Sequence, residues 1–226
     1  MNTKSETTHI RKGIILDLDG TLWDSTKSVF PLWNRILARY PEFHRQVSEK
    51  EIHEAMGKTI HEIAVMLLPD QDPLVQDHIM NEICREEVSW LHAHGGILYP
   101  NVKPILYELS RDYPLYLVSS CQEGYAEAFL SFHGFSPFFS DIESSGRTGK
   151  SKGENILLVM NRNRIGKAVY VGDTEQDELS ARYAGIPFIH AAYGFGTALH
   201  PDAIIYSPEE LPTAVSYFLC DTRLLR

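Results

Sequence analysis

Short apolar runs that end in acidic, hydroxyl or glycine residues recur along the chain. The first, Lys12–Gly13–Ile14–Ile15–Leu16–Asp17–Leu18, lacks polar alternation, which is the pattern of a strand buried on both faces of a parallel sheet. Similar runs at Pro114 to Ser119, Lys167 to Gly172 and Ile186 to Ala191 are each flanked by helical periodicity. Strands alternating with helices predict an α/β fold with a Rossmann-like, doubly wound parallel sheet.

Between the first and second of these strands the pattern changes. Residues 25–96 read as helix throughout, with no convincing strand. Ser48-x-x-Glu51 and Thr59-x-x-Glu62 are capping boxes, Asp72–Pro73 starts a long helix, and Gly95–Gly96 stops it. The expected organisation is a core of 1–24 and 97–226 with an all-helical cap, 25–96, inserted through short hinges near Asp24 and Tyr99. Trp33, Met56, Met66 and Trp90 are expected in the core of that bundle, and the Gly57 turn would present Lys58 towards a bound ligand.

Composition narrows the function. At 226 residues, 43% hydrophobic and 23% charged, the chain has the make-up of an ordinary folded protein. No apolar run reaches the ~20 residues needed to span a bilayer, and Met1 to His9 is polar, so no membrane contact and a cytoplasmic location are expected. Cys84, Cys121 and Cys220 lack metal-site spacing, in keeping with a reducing compartment. A net charge of −9 argues against nucleic acid as a partner, so any anionic ligand is expected to be small and met locally. The sequence says nothing of oligomeric state.

Candidate chemistry sits at the strand ends. Asp17–Leu18–Asp19–Gly20–Thr21–Leu22 places two carboxylates where a buried strand meets a sharp turn, and such groups need partners. In an open α/β sheet that position faces the ligand crevice, so a metal ion and a phosphate are sensible partners. A second acidic strand end follows at Gly172–Asp173–Thr174–Glu175–Gln176–Asp177, although a carboxylate in the position of Asp177 also suits a helix start.

These segments resemble the motifs of the haloacid dehalogenase-like hydrolases, in order and over about residues 12–220. Asp17-x-Asp19-Gly20-Thr21 resembles the first motif, Ser119–Ser120 the second, Lys152 the third and Gly172–Asp173-x-x-x-Asp177 the fourth. The resemblance implies a phosphatase similar to the phosphoglycolate phosphatases, acting on a small phosphorylated metabolite with magnesium. Asp17 would be the nucleophile, Asp19 the general acid and then base, and Lys152 the cation beside the nucleophile. Ser119 and Ser120 would hold the phosphoryl group, with Lys58 reaching the remote end of the substrate. Asp17, Asp173, Asp177 and the Asp19 carbonyl would surround magnesium. Family dehalogenases and phosphonate hydrolases lack the second acid that Asp19 supplies.

Three alternatives remain at this stage. A β-phosphoglucomutase-like phosphomutase would use the same four segments. Gly146 to Ser151 ends in the Gly-Lys-Ser of a P-loop, but Ser144 stands where that motif needs glycine, and Phe138 to Glu143 makes a poor buried strand. A non-catalytic module could keep the fold, although the intact acids and lysine argue against it. Among residues outside the motifs, His53, His61, His92 and His94 are expected on solvated helix faces, Cys121 as a small buried hydrophobe and Tyr193 to Gly196 as a turn. Trp23 is left open between packing and substrate contact.

Overall fold

The computed structural model describes residues 10–220; the polar start Met1 to His9 lies outside them. The chain begins with β1 (Lys12–Leu16) and β2 (Trp23–Asp24), then runs through α1 (Thr26–Leu37), α2 (Glu49–Ala55), α3 (Ile60–Leu67) and α4 (Pro73–His94). It continues with β3 (Ile97–Leu98), α5 (Val102–Asp112), β4 (Leu115–Ser119), α6 (Tyr125–His133), β5 (Phe139–Ser144) and α7 (Ser145–Thr148). The last elements are α8 (Lys152–Asn163), β6 (Lys167–Gly172), α9 (Glu175–Ala184), β7 (Phe188–Ala191), β8 (Ala203–Ile205) and α10 (Leu211–Leu219).

Six strands form one parallel sheet in the order β5-β4-β1-β6-β7-β8. Ile14 and Leu16 face one hydrophobic cluster and Ile15 the other, so β1 is buried on both sides and needs no polar alternation. After β1 the sheet grows outward through β4 and β5, then resumes with β6 on the opposite side of β1. That reversal opens a crevice at the carboxyl ends of the central strands.

The four helices α1 to α4 lie between β2 and β3. Both expected capping boxes form, Asp72 caps α4 ahead of Pro73, and Gly95 ends it at φ 63°. Val29, Leu32, Trp33, Ile36 and Leu37 of α1 are buried, as are Ile79, Met80, Ile83 and Leu91 of α4. The two chain crossings into and out of this bundle pair with each other, Trp23 opposite Leu98 and Asp24 opposite Ile97, in a two-stranded antiparallel ribbon.

The structure completes several sequence expectations. Phe138 to Glu143 reads as a poor buried strand; β5 is nevertheless a strand, but one at the sheet edge, paired with β4 through a register shift at Ser140 and only partly buried, and so it tolerates polar positions. The ribbon strands and β8 are two or three residues long, too short for periodicity to register. Gly149 ends α7 at φ 67° and the Ser151 hydroxyl caps α8, so the Gly-Lys-Ser segment joins two helices and not a strand to a helix, as a P-loop requires. Trp23 is fully buried with its ring edge-on to Tyr125 and Phe129, which makes it a packing residue.

Candidate active site

Asp17 leaves β1 still aligned with the sheet, its N–H donating to the Val171 carbonyl at 2.8 Å. Its carboxylate therefore emerges at the strand end beside β6. Lys152, at the first turn of α8 and 3% exposed, donates from Nζ to Asp17 Oδ1 at 2.9 Å and to Asp177 Oδ1 at 2.6 Å. Burial alone would lower the ammonium pKa, but Asp17 and Asp177 outweigh it and hold the group protonated. Burial works against Asp177 too, and Lys152 still holds it below the ordinary carboxylate range.

Asp177 is heavily engaged. Besides Lys152, its oxygens accept from the Asp173 and Thr174 N–H groups, the Thr174 hydroxyl and, at 3.3 Å, the Tyr170 hydroxyl. It thus closes the capping box of α9 and anchors Lys152 with the same carboxylate.

Asp173 differs. Its Oδ2 accepts the Phe195 N–H at 2.7 Å and the Gly196 N–H at 3.3 Å, but its Oδ1 is buried without a hydrogen-bond partner among the described residues. Burial and the neighbouring Asp177 push its pKa up to about 7. Asp17 is likewise raised, first by burial. Oxygens of Asp17, Asp173 and Asp177 lie within 4.8 Å of one another, so three carboxylates face the one ammonium of Lys152 and leave two negative charges uncompensated if all are ionised. An orphaned buried carboxylate oxygen beside that excess charge fits a divalent cation with hard oxygen ligands.

The backbone around Asp173 is correspondingly tight. A Cβ on Gly20, at φ 78°, would lie 2.1 Å from Asp173 Oδ2, and one on Gly194 would lie 2.4 Å from Asp173 Cβ. Tyr193 to Gly196, expected only to turn, therefore also packs against the site, and the Tyr193 hydroxyl donates to the Thr21 carbonyl at 2.9 Å.

Asp19 is gripped from a different side. Ser25, at the start of the helical insertion, donates from Oγ to Asp19 Oδ1 at 2.8 Å, and the Tyr125 hydroxyl lies 2.8 Å from each of these atoms. Burial pushes the Asp19 pKa up to about 6, while the hydrogen bonds from Ser25 and Tyr125 restrain the rise. Such a group can carry a proton near neutral pH and also release one.

Asp17 and Asp19 open into a cavity of about 40 Å³, room for a few water-sized groups. Ser119, Ser120 and Gln122 line it from the sheet domain, and Met56, Gly57 and Lys58 from the turn between α2 and α3. The structure thus gathers Asp17, Asp19, Ser119, Ser120 and Lys58 around one space, with Lys152, Asp173 and Asp177 behind it. Trp33 and Met56 pack in or against the bundle core, as expected, and also line the cavity. Cys121 also borders it, and burial pushes its thiol up to about 12, so it stays protonated.

Sequence reading missed Ser25, Tyr125, Gln122 and Glu87. Glu87 left a legible signal: it occupies the buried stripe Met80, Ile83, Glu87, Leu91 of α4, where an acid is out of place unless paired. Ser25 and Tyr125 left none, because each meets Asp19 only through the fold.

Comparison with known proteins agrees with this geometry. The family model described as haloacid dehalogenase-like hydrolase matches residues 14–191, running from within β1 to the end of β7 and taking in the helical insertion and all four motif segments. Phosphoglycolate phosphatase of Synechococcus elongatus is 27% identical over 219 residues, covering 92% of this chain and 99% of that protein. The same enzyme of Vibrio cholerae is 28% identical over 201 residues, 81% of this chain and 85% of that one. Among solved structures, a haloacid dehalogenase-like family hydrolase of Streptococcus pneumoniae superposes with a TM-score of 0.77 at 24% identity, over 91% of this chain and 98% of that one. CbbY of Rhodobacter sphaeroides, solved in complex with phosphate, gives a TM-score of 0.75 at 20% identity, over 89% and 96% of the two chains. The structural likenesses establish the fold, and with the family match across most of its length this chain belongs to the haloacid dehalogenase-like hydrolase family.

Proposed function

We propose that this protein is a magnesium-dependent phosphatase that hydrolyses a small phosphate monoester through an aspartyl-phosphate on Asp17. The observation that carries the reading is the pairing of Asp17, held by Lys152 beside an Asp173 oxygen without a partner among the described residues, with a second acid, Asp19, gripped by Ser25 and Tyr125 and pushed up by burial to about 6. The curated relatives named as phosphoglycolate phosphatases support hydrolysis over phosphoryl migration, so the phosphatase is preferred to the phosphomutase. The segment 25–96 would act as the cap over this site.

Asp17, Asp173 and the Asp19 main-chain carbonyl would hold magnesium, with Asp177 backing them through Lys152 and the Asp173 N–H. When bound, the ion would supply positive charge that lets a carboxylate approach a phosphoryl dianion. Lys152 adds its own charge beside Asp17, and the Ser119 hydroxyl and Ser120 N–H orient the phosphoryl oxygens. Asp17 attacks phosphorus as the ester P–O bond breaks, and protonated Asp19 gives its proton to the departing alkoxide. Asp19, now a carboxylate, takes a proton from water, which attacks the same phosphorus. Inorganic phosphate leaves and Asp17 is restored.

The test is hydrolysis of an aryl phosphate with magnesium, with chelator, and with Asp17→Asn. Turnover should require magnesium, return on its readdition, and fall by roughly a hundredfold or more in the variant, since an amide is no anionic nucleophile. Equal rates in chelator and magnesium would remove the metal from the reading, and an active Asp17→Asn would remove the nucleophile.

A further inference from the structure

Glu87 is a buried carboxylate for which the phosphatase chemistry has no use. It projects from α4 into the same cavity as Asp17 and Asp19 and is 4% exposed. Trp33 Nε1 donates to its Oε1 at 3.1 Å, and Gln122 Nε2 donates to its Oε2 at 2.6 Å. Trp33 belongs to the helical insertion and Gln122 to the segment after β4, so the carboxylate is fixed from both sides of the cavity. A carboxylate has about four acceptor sites, and these two N–H groups use two of them. What remains free at Glu87 is acceptor capacity. On the cavity's exposed rim stands Lys58, whose ammonium offers only donors.

A leaving group lying between Glu87 and Lys58 has to satisfy both. A carboxylate could pair with Lys58 but would meet a second, buried carboxylate at Glu87. An ammonium could pair with Glu87 but not with Lys58. A hydroxyl donates to one and accepts from the other. The cavity is enclosed at Glu87 and open at the Lys58 rim, so the atoms next to the ester oxygen are the ones that meet Glu87. We propose that Glu87, positioned by Trp33 and Gln122, is a specificity-determining residue that selects hydroxyl-bearing alkyl phosphates and rejects esters whose leaving group carries a carboxylate. The inference rests on the phosphatase reading above and sets this chain apart from what its relatives' names would suggest.

Three esters of nearly equal size separate the cases: 2-hydroxyethyl phosphate, 2-phosphoglycolate and 2-aminoethyl phosphate, assayed at pH 8 with magnesium beside an aryl phosphate. Wild-type kcat/KM should be highest for the hydroxyethyl ester among the three, by roughly tenfold or more over phosphoglycolate. Glu87→Gln, close in shape and still able to accept from Trp33, should narrow that ratio by roughly tenfold, chiefly by lowering KM for phosphoglycolate. Wild-type preference for phosphoglycolate or for the aminoethyl ester would overturn the proposal whether or not the variant folds. So would a folded Glu87→Gln with an unchanged ratio. If no ester is hydrolysed, the aryl phosphate included, the phosphatase reading itself has failed; if only the aryl phosphate is turned over, that reading stands and the hydroxyl assignment falls.

Discussion

At the scale of single residues, the two acids of the first motif are separated by their partners. Asp17 has an ammonium at 2.9 Å, whereas Asp19 accepts from the hydroxyls of Ser25 and Tyr125, and under the proposed function this difference would divide nucleophile from proton carrier. The division predicts the behaviour of Asp19→Ala. A nitrophenolate leaves with little protonation, while the water of the second half still needs a base. Rapid mixing with nitrophenyl phosphate should therefore show a burst approaching one equivalent of enzyme, then slow turnover. Alkyl phosphates should give no burst, because their alkoxide still needs the missing acid. Steady turnover of the aryl ester at the wild-type rate would show that Asp19 is not the base.

At the scale of elements, the site depends on how helices begin. The Thr59 hydroxyl accepts the Glu62 N–H, and the Glu62 carboxylate accepts the Thr59 N–H at 2.8 Å, so the first turn of α3 is closed by side chains. The preceding residues Gly57 and Lys58 line the cavity, and Gly57 sits at φ 78°, which a side chain would strain. Removing the cap with Thr59→Ala should cost about 1 kcal/mol, read as a fall in Tm of about 2–4 °C. Because the same cap sets the Lys58 turn, KM for an alkyl ester should rise more than KM for an aryl phosphate. A variant with lowered Tm and unaltered KM for both would separate helix stability from the site. These capping patterns were readable in advance since they rest on contacts three residues apart. The ribbon of β2 and β3 was not, because its partners lie more than seventy residues apart and each strand is too short for a pattern.

At the scale of the whole molecule, burying acids in one place costs stability that depends on pH. Glu87 is raised from 4.5 to about 7, chiefly by burial, with the hydrogen bonds from Gln122 and Trp33 opposing the rise. A group whose folded pKa is raised binds protons more tightly when folded, so its contribution is fully present below its ordinary pKa and is lost as pH rises through about 7. Glu87→Gln does not titrate. Measured by denaturant unfolding, its stability relative to wild type should improve between pH 4 and pH 8 by up to about 3 kcal/mol. A pH-independent difference would place Glu87 in a more solvated setting than the fold indicates. What the sequence by itself determined was everything carried by local spacing: the buried strand runs, the helical insertion, the caps of α2, α3 and α4, and the acidic strand ends at Asp17 and Asp173. What only the tertiary structure decided was which of these groups share a space. Ser25 and Tyr125 meet at Asp19, Lys152 meets Asp177, and Glu87 meets Gln122, across separations of 100, 25 and 35 residues for Tyr125 with Ser25, Lys152 with Asp177 and Glu87 with Gln122. Partnerships of that kind depend on how the sheet orders its strands and where the insertion docks, and a single chain read along its length holds no periodic trace of either.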